Sequence, residues 1–376
     1  MLGYRRVLAM TLGLAIVGVG DVAHRDYLPE LGRLAERVEV VVACSRGAER
    51  ARDVARRFEI PRWTTSYHEA VSADDVDAVL NLTPFSLHVD VTLAALEAGK
   101  HVYSEKPLAL TSAHARVIAE RADRSGRVVL AAPCVLLFPQ VRRAREILES
   151  GELGSVFTAR GHGQGGVPPW EGYLSDPSPY FAQAGGPLVD MAVYPLHALT
   201  GLLGPVREVA AFSAKTRDSF DIVEGPFAGR SIPVETADAW HLVLRLADGV
   251  LASVEANNCA AGAIGPELEL RGDRGALGLS LLDVSQPLSV QSEGEDRSEI
   301  VPHQRSAGPD HILGVEHLVD CVEEGREPIV SVAHALHVIE VLEAAALSAV
   351  EGRSVIVDSD FRRAAVPFEG GAERVE

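Results

Sequence analysis

The chain has 376 residues, 47% of them apolar and 23% charged, with a formal net charge of −18. That length can bury a large core and suits two domains, and the composition is that of an ordinary soluble globular protein. The acidic balance excludes a nucleic-acid footprint, which would be basic, and argues against anionic membrane surfaces as partners.

The first twenty residues, "MLGYRRVLAMTLGLAIVGVG", mimic a secretory signal: two arginines, then an apolar run. The run passes without a small-x-small cleavage site into "GVGDVA", so a cytoplasmic protein is expected, with Met1 and Met10 both open as starts. "LGLAIVGVG" reads as a buried parallel strand. "HRDYLPELGRL" has helical spacing, "VEVVVACS" is a second strand and "GAERARDVARRFE" an amphipathic helix. "DAVLNLTP" is a strand ended by Pro84, followed by the helix "SLHVDVTLAALEAG" and the strands "HVYSEKP" and "GRVVLAAP". Strands alternating with helices at this spacing predict a parallel sheet covered on both faces.

After the first strand comes Gly18-x-Gly20-x-x-Ala23, with Asp21 and Val22 inside the turn. Gly18 permits the tight turn, Gly20 lets backbone N–H groups approach a pyrophosphate, and Ala23 lets the helix pack closely. The strand-before, helix-after context makes this a dinucleotide site. The second strand ends in Cys44, Ser45 and Arg46, where an NAD-preferring domain usually has Asp or Glu. Ser45 can hydrogen-bond a 2′-phosphate and Arg46 can pair with its charge, so NADP(H) is favoured, with NAD(H) still possible.

From about residue 150 the pattern becomes β-rich and alternating, as in "SVFTARGHG", "REVAAFSA", "WHLVLRLADGVLASVEAN" and "ELELRGDRGALGLS". An antiparallel sheet is expected there. The loop at 165–181 carries Trp170, Tyr173 and Tyr180, which suit either sugar stacking or anchoring of the loop. In "DMAVYPLH", Asp190, Tyr194 and His197 fall at i, i+4 and i+7, one face of a helix. Cys44, Cys134, Cys259 and Cys321 are scattered and read as reduced thiols. His311, His317, His334 and His337 lack a metal-binding pattern, and no metal is expected.

Four segments, at 15–23, 81–111, 147–156 and 185–206, together with the closing helices, resemble the glucose–fructose oxidoreductase, inositol dehydrogenase and rhizopine-catabolism (Gfo/Idh/MocA) oxidoreductases. The order TP…H…EAGKHV…EKP in 81–111 is the most specific part. The resemblance implies an N-terminal Rossmann domain over 10–135 and a C-terminal α+β domain on a large, mostly antiparallel open sheet over 136–365, with a flexible tail at 366–376. It implies a small polyhydroxylated substrate, a sugar or cyclitol, and a homodimer or homotetramer built through the open sheet. Lys106 of "EKP" is then the proton relay, its pKa expected to fall toward the working range. Glu105 tunes it or fixes the turn. Thr83 and Pro84 pass beside the cofactor ribose, and His88 either meets the cofactor region or caps its helix. Asp190 binds a substrate hydroxyl. Tyr194 stands where many relatives have histidine, so the acid/base is Tyr194, its pKa lowered by Lys106, or Lys106 alone. His197 and Trp170 are further candidate substrate contacts. A dihydrodiol- or anhydrosugar-type reductase and a non-catalytic cofactor-binding regulator remain as alternatives.

Overall fold

A computed structural model of the chain describes residues 11–363 and 373–375, apart from 165, 171, 172, 261, 293 and 305–307. The first ten residues of the signal-like stretch, the choice between Met1 and Met10, and most of the expected tail lie outside the described residues.

Six strands, β1 (Leu12–Val17), β2 (Val38–Cys44), β3 (Arg62–Thr64), β4 (Ala78–Asn81), β5 (His101–Ser104) and β6 (Val129–Ala131), form one sheet in the order β3-β2-β1-β4-β5-β6. Every neighbouring pair is parallel. The chain reverses its winding beside β1, and the crevice above such a switch point is where dinucleotides bind. The strands lack polar alternation because both faces are covered. Leu14 and Ile16 pack into one apolar cluster, and Ala15 and Val17 into another on the opposite face. The covering helices are α1 (Ala48–Arg57), α2 (Tyr67–Val71), α3 (His88–Glu97) and α4 (Ser112–Ser125), and α5 (Pro139–Glu149) leads from them to the second sheet.

The segment expected as a helix at 24–34 is instead a π turn over Ala23–Tyr27 and a 3₁₀ turn over Leu31–Leu34. Pro29 lies between them and has no N–H to continue a helical ladder.

The second sheet has ten strands: β7 (Val156–Gly163), β8 (Val206–Ala214), β11 (Ala239–Leu246), β12 (Leu251–Asn257), β13 (Leu268–Gly272), β14 (Gly275–Leu279), β15 (Leu288–Ser292), β16 (Glu295–Ile300), β17 (Val355–Ile356) and β18 (Glu373–Val375). A separate hairpin holds β9 (Ser219–Asp221) and β10 (Ser231–Pro233). The sheet runs β17-β8-β11-β12-β7-β13-β14-β15-β16-β18, antiparallel except between β12 and β7. Of the expected tail, 373–375 thus pairs with β16 as an edge strand.

One face of this sheet packs on α6 (Pro187–Asp190) and α7 (Val193–Leu203). The opposite face is open, and Phe212 on it is 80% exposed. Two terminal helices, α8 (Ile312–Glu324) and α9 (Val332–Glu351), return to the first sheet. Ala131 donates to the Val330 carbonyl at 3.1 Å, and a Cβ on Gly314 would collide with the Tyr103 ring. α9 is apolar and long enough to cross a membrane by composition alone, and it buries Val332, Ala335 and Ile339 against the Rossmann core.

Candidate active site

The glycine turn follows β1 and touches β4. Gly18 has φ of +99°, and a Cβ there would meet the Leu82 carbonyl at 2.4 Å, so only glycine fits. A Cβ on Gly20 would meet nothing within 4 Å, because this glycine faces an open cavity. Ala23 is fully buried and serves packing rather than the cavity wall.

The cavity, of about 520 Å³, runs from the end of β2 across the glycine turn to the loop after β5. Gly18, Gly20, Asp21, Val22, Ser45 and Arg46 line one half, and Thr83, Pro84, His88, Glu105, Lys106 and Asp190 line the other. The sequence placed these residues together from positions spread over 170 residues. Its length and the bare glycine backbone suit a dinucleotide, with the pyrophosphate over Gly20.

At the β2 end no carboxylate follows Cys44. Arg50, in the first turn of α1, was missed by sequence reasoning and also lines the cavity. The available signal was a second arginine in the first turn of the helix that follows β2. A second open hollow continues outward past Arg46 and Arg50 to His24 and Arg57.

At the other end stands Lys106. Its Nζ lies 2.5 Å from Asp190 Oδ1 and 2.8 Å from the Asp190 carbonyl, and it sits 5.0 Å above the Tyr194 ring. The two side chains are 14% and 13% exposed. Burial alone would lower the lysine pKa, but Asp190, with Tyr194 and Glu105, overrides it and raises the value above the ordinary lysine range. The expected fall is therefore corrected: Asp190, Tyr194 and Glu105 together outweigh burial, and the resting side chain is an ammonium ion. Asp190 Oδ2 is buried and has no hydrogen-bond partner among the described residues.

Tyr194 also differs from expectation. Burial pushes its pKa up to about 12, against the opposing pull of Lys106. The lysine lies over the ring face, not at the hydroxyl, so its help is limited. Asp190 and Tyr194 are not on one continuous helix. α6 ends at Asp190 and α7 begins at Val193, with Pro195 in the first turn of α7, where a missing N–H is tolerated. The break still brings both to Lys106, but it turns His197 away.

His197 is a correction: it is 4% exposed, packs edge-on against His334 with ring centroids 4.7 Å apart, and belongs to the core. Burial lowers its pKa to about 3. Trp170 is a second correction. It is absent from the cavity wall and packs edge-on against Tyr173 and Tyr180, which do line it. Trp170 thus anchors the loop, while Tyr173 and Tyr180 line the cavity. His88 does not cap α3; it bonds backbone carbonyls at both ring nitrogens. Glu105 fixes the turn: its Oε2 accepts the Lys106 N–H at 2.9 Å, and its Oε1 accepts the Tyr27 hydroxyl at 2.7 Å. Tyr27 lies 78 residues away, and no local pattern could have announced it.

A glycine-cradled dinucleotide crevice ending in a buried lysine–carboxylate pair defines a nicotinamide-dependent oxidoreductase. Residues 12–132 match the model of the oxidoreductase family with an NAD-binding Rossmann fold, GFO_IDH_MocA, and residues 141–278 match a GFO/IDH/MocA C-terminal domain; the chain belongs to this family. It is 26% identical over 310 residues to scyllo-inositol 2-dehydrogenase (NAD(+)) of Bacillus subtilis, covering 82% of this chain and 86% of the relative. It is 26% identical over 349 residues to mouse trans-1,2-dihydrobenzene-1,2-diol dehydrogenase, covering 89% and 96%. The fold matches levoglucosan dehydrogenase in complex with NADH and levoglucosan, with a TM-score of 0.77 at 22% identity, covering 92% of this chain and 99% of that one.

Proposed function

We propose that the protein is a cytoplasmic NAD(P)-dependent oxidoreductase that interconverts a hydroxyl and a ketone on a sugar, sugar derivative or cyclitol. The observation that carries the reading is the continuous cavity linking the glycine turn to the Lys106–Asp190 pair. A bound nicotinamide would supply or accept the hydride. Lys106, as an ammonium ion, is matched to reduction: it hydrogen-bonds the carbonyl oxygen and gives it a proton as negative charge develops. Oxidation uses the same contact in reverse, once the amine has shed its proton. The free Oδ2 of Asp190 accepts a hydrogen bond from a substrate hydroxyl, since a buried carboxylate oxygen without a donor is unfavourable. Tyr194 holds the lysine by its ring face.

NADP(H) is the preferred cofactor in this reading. Arg46 and Arg50 supply positive charge where a 2′-phosphate would lie, and Ser45 supplies a hydroxyl. A second reading, an anhydrosugar- or dihydrodiol-type substrate, is favoured by the apolar and aromatic wall of Tyr173, Leu174, Tyr180, Val189 and Phe227. We also propose a homo-oligomer built through the open sheet face, supported by the exposed Phe157, Phe212, Val243 and Leu251.

The test is a fluorescence titration of the purified protein with NADPH and NADH, with Lys106→Ala alongside. NADPH should bind more tightly, and the variant should bind it while losing turnover on a panel of sugars, anhydrosugars and cyclitols. Tighter NADH binding would sink the Ser45–Arg46 argument. An active Lys106→Ala would remove the lysine from the chemistry.

A further inference from the structure

His88 is 1% exposed at the start of α3, and both its ring nitrogens meet backbone carbonyls. Nδ1 lies 2.7 Å from the Pro107 oxygen, and Nε2 lies 2.7 Å from the Thr83 oxygen. Carbonyl oxygens only accept, so the ring is the donor in whichever of these bonds is made. A neutral ring has one N–H for two acceptors, and a protonated ring satisfies both. Burial draws the ring toward the neutral form, while the two carbonyls and Glu105 oppose that pull and Lys106 adds to it.

The surrounding loop is already tied to itself. Asn81 Nδ2 donates to the His88 carbonyl at 3.0 Å, and Asn81 Oδ1 accepts the Thr83 hydroxyl at 2.7 Å. His88 is thus the end of a rigid polar box that reaches across to the segment after β5. On the near side of Lys106, Glu105 grips the lysine's own N–H and is itself held by Tyr27. On the far side, the grip on the next residue's carbonyl is His88.

We propose that His88 is a positioning residue for Lys106. By holding the Pro107 carbonyl, it fixes the backbone from which the lysine reaches Asp190. This role differs from a cofactor contact or a helix cap, and it rests on the reading of Lys106 as the proton carrier. The bond that matters is the one Nδ1–H donates to the Pro107 carbonyl, made by a ring protonated at Nδ1 or at both nitrogens.

Three variants separate the contacts. An asparagine amide nitrogen falls near the place of Nδ1, and a glutamine amide nitrogen near that of Nε2. For wild type, His88→Asn, His88→Gln and His88→Ala, three quantities are measured: NADPH affinity by fluorescence, kcat and KM for ketone reduction, and amide hydrogen exchange of the peptides at 82–88 and 103–110. His88→Ala and His88→Gln should lower kcat by about 10- to 100-fold, the scale of a small misplacement of a reacting group. NADPH affinity should stay within about twofold and exchange at 103–110 should rise, because a loosened segment opens more often. His88→Asn should recover most of kcat and the protection. The proposal fails if kcat and exchange are unchanged in His88→Ala, if NADPH affinity falls in step with kcat, or if glutamine rescues and asparagine does not. Should the alanine variant fail to fold, the asparagine–glutamine comparison decides. A wild type that reduces nothing would overturn the proposed function, and the exchange data would still judge the His88 clamp.

Discussion

Lys106 and Asp190 define the chemistry at the residue scale, and their separation sets the proton's location. At 2.5 Å the carboxylate, together with Tyr194 and Glu105, outweighs burial, so the resting lysine is charged. Removing the carboxylate takes away the largest contribution that raises the lysine pKa. Asp190→Asn should lower the Lys106 pKa by about 1–3 units, the usual effect of an opposite charge at this range. In a pH profile of ketone reduction, the limb that reports loss of the lysine proton should move to lower pH by that amount, with kcat down at least about tenfold. An unmoved limb would mean that the profile reports another group. Lys106 itself was legible because "EKP" sits in a long, specific segment. His197 was misplaced because one helical face was assumed where Pro195 and the break after Asp190 make two short helices.

Among the elements, the open sheet face is the least explained by a single chain. Phe212 on β8 stands opposite His241 on β11, and Val243 stands opposite Ser253 on β12, all on the face turned away from the helices. Strand alternation makes this face readable in sequence, since the inward positions of β11 are Trp240, Leu242, Leu244 and Leu246. Phe212→Asp places a charge on the open sheet face, at the most exposed of its large apolar side chains. Light scattering should show the wild type as an oligomer and the variant shifted toward monomer, with an unchanged circular dichroism spectrum. A wild-type monomer at micromolar concentration would remove the sheet face as an assembly surface. The first helix was the main error among the elements, because Pro29 splits a stretch whose apolar spacing is helical.

The whole molecule carries a set of neutral histidines in its core, and they set its response to acid. His337 Nε2 accepts the Val206 N–H at 3.0 Å, and His317 Nε2 accepts the Ile329 N–H at 2.9 Å; protonation would abolish both bonds. Burial lowers both pKa values to about 4, from 6.5. The unfolded chain therefore binds more protons between these values, and stability present above pH 6.5 is lost as pH falls toward 4. Each such histidine lowers stability by up to about 1.4 kcal/mol per pH unit in that window. Thermal melts from pH 7.5 to 4.5 should show Tm falling below about pH 6.5, and His337→Gln should flatten part of the slope. A Tm independent of pH across this range would contradict the buried-neutral assignment. What the sequence determined by itself was local and periodic: the glycine turn, the strand–helix alternation, the two sheet types and the lysine of "EKP". What only the tertiary structure decided were the partners and pKa directions. The Asp190–Lys106 distance, the Tyr27–Glu105 bond, the His88 clamp and the desolvation of Tyr194 depend on groups up to 84 residues apart, and neither electrostatic range nor burial is encoded in neighbouring positions.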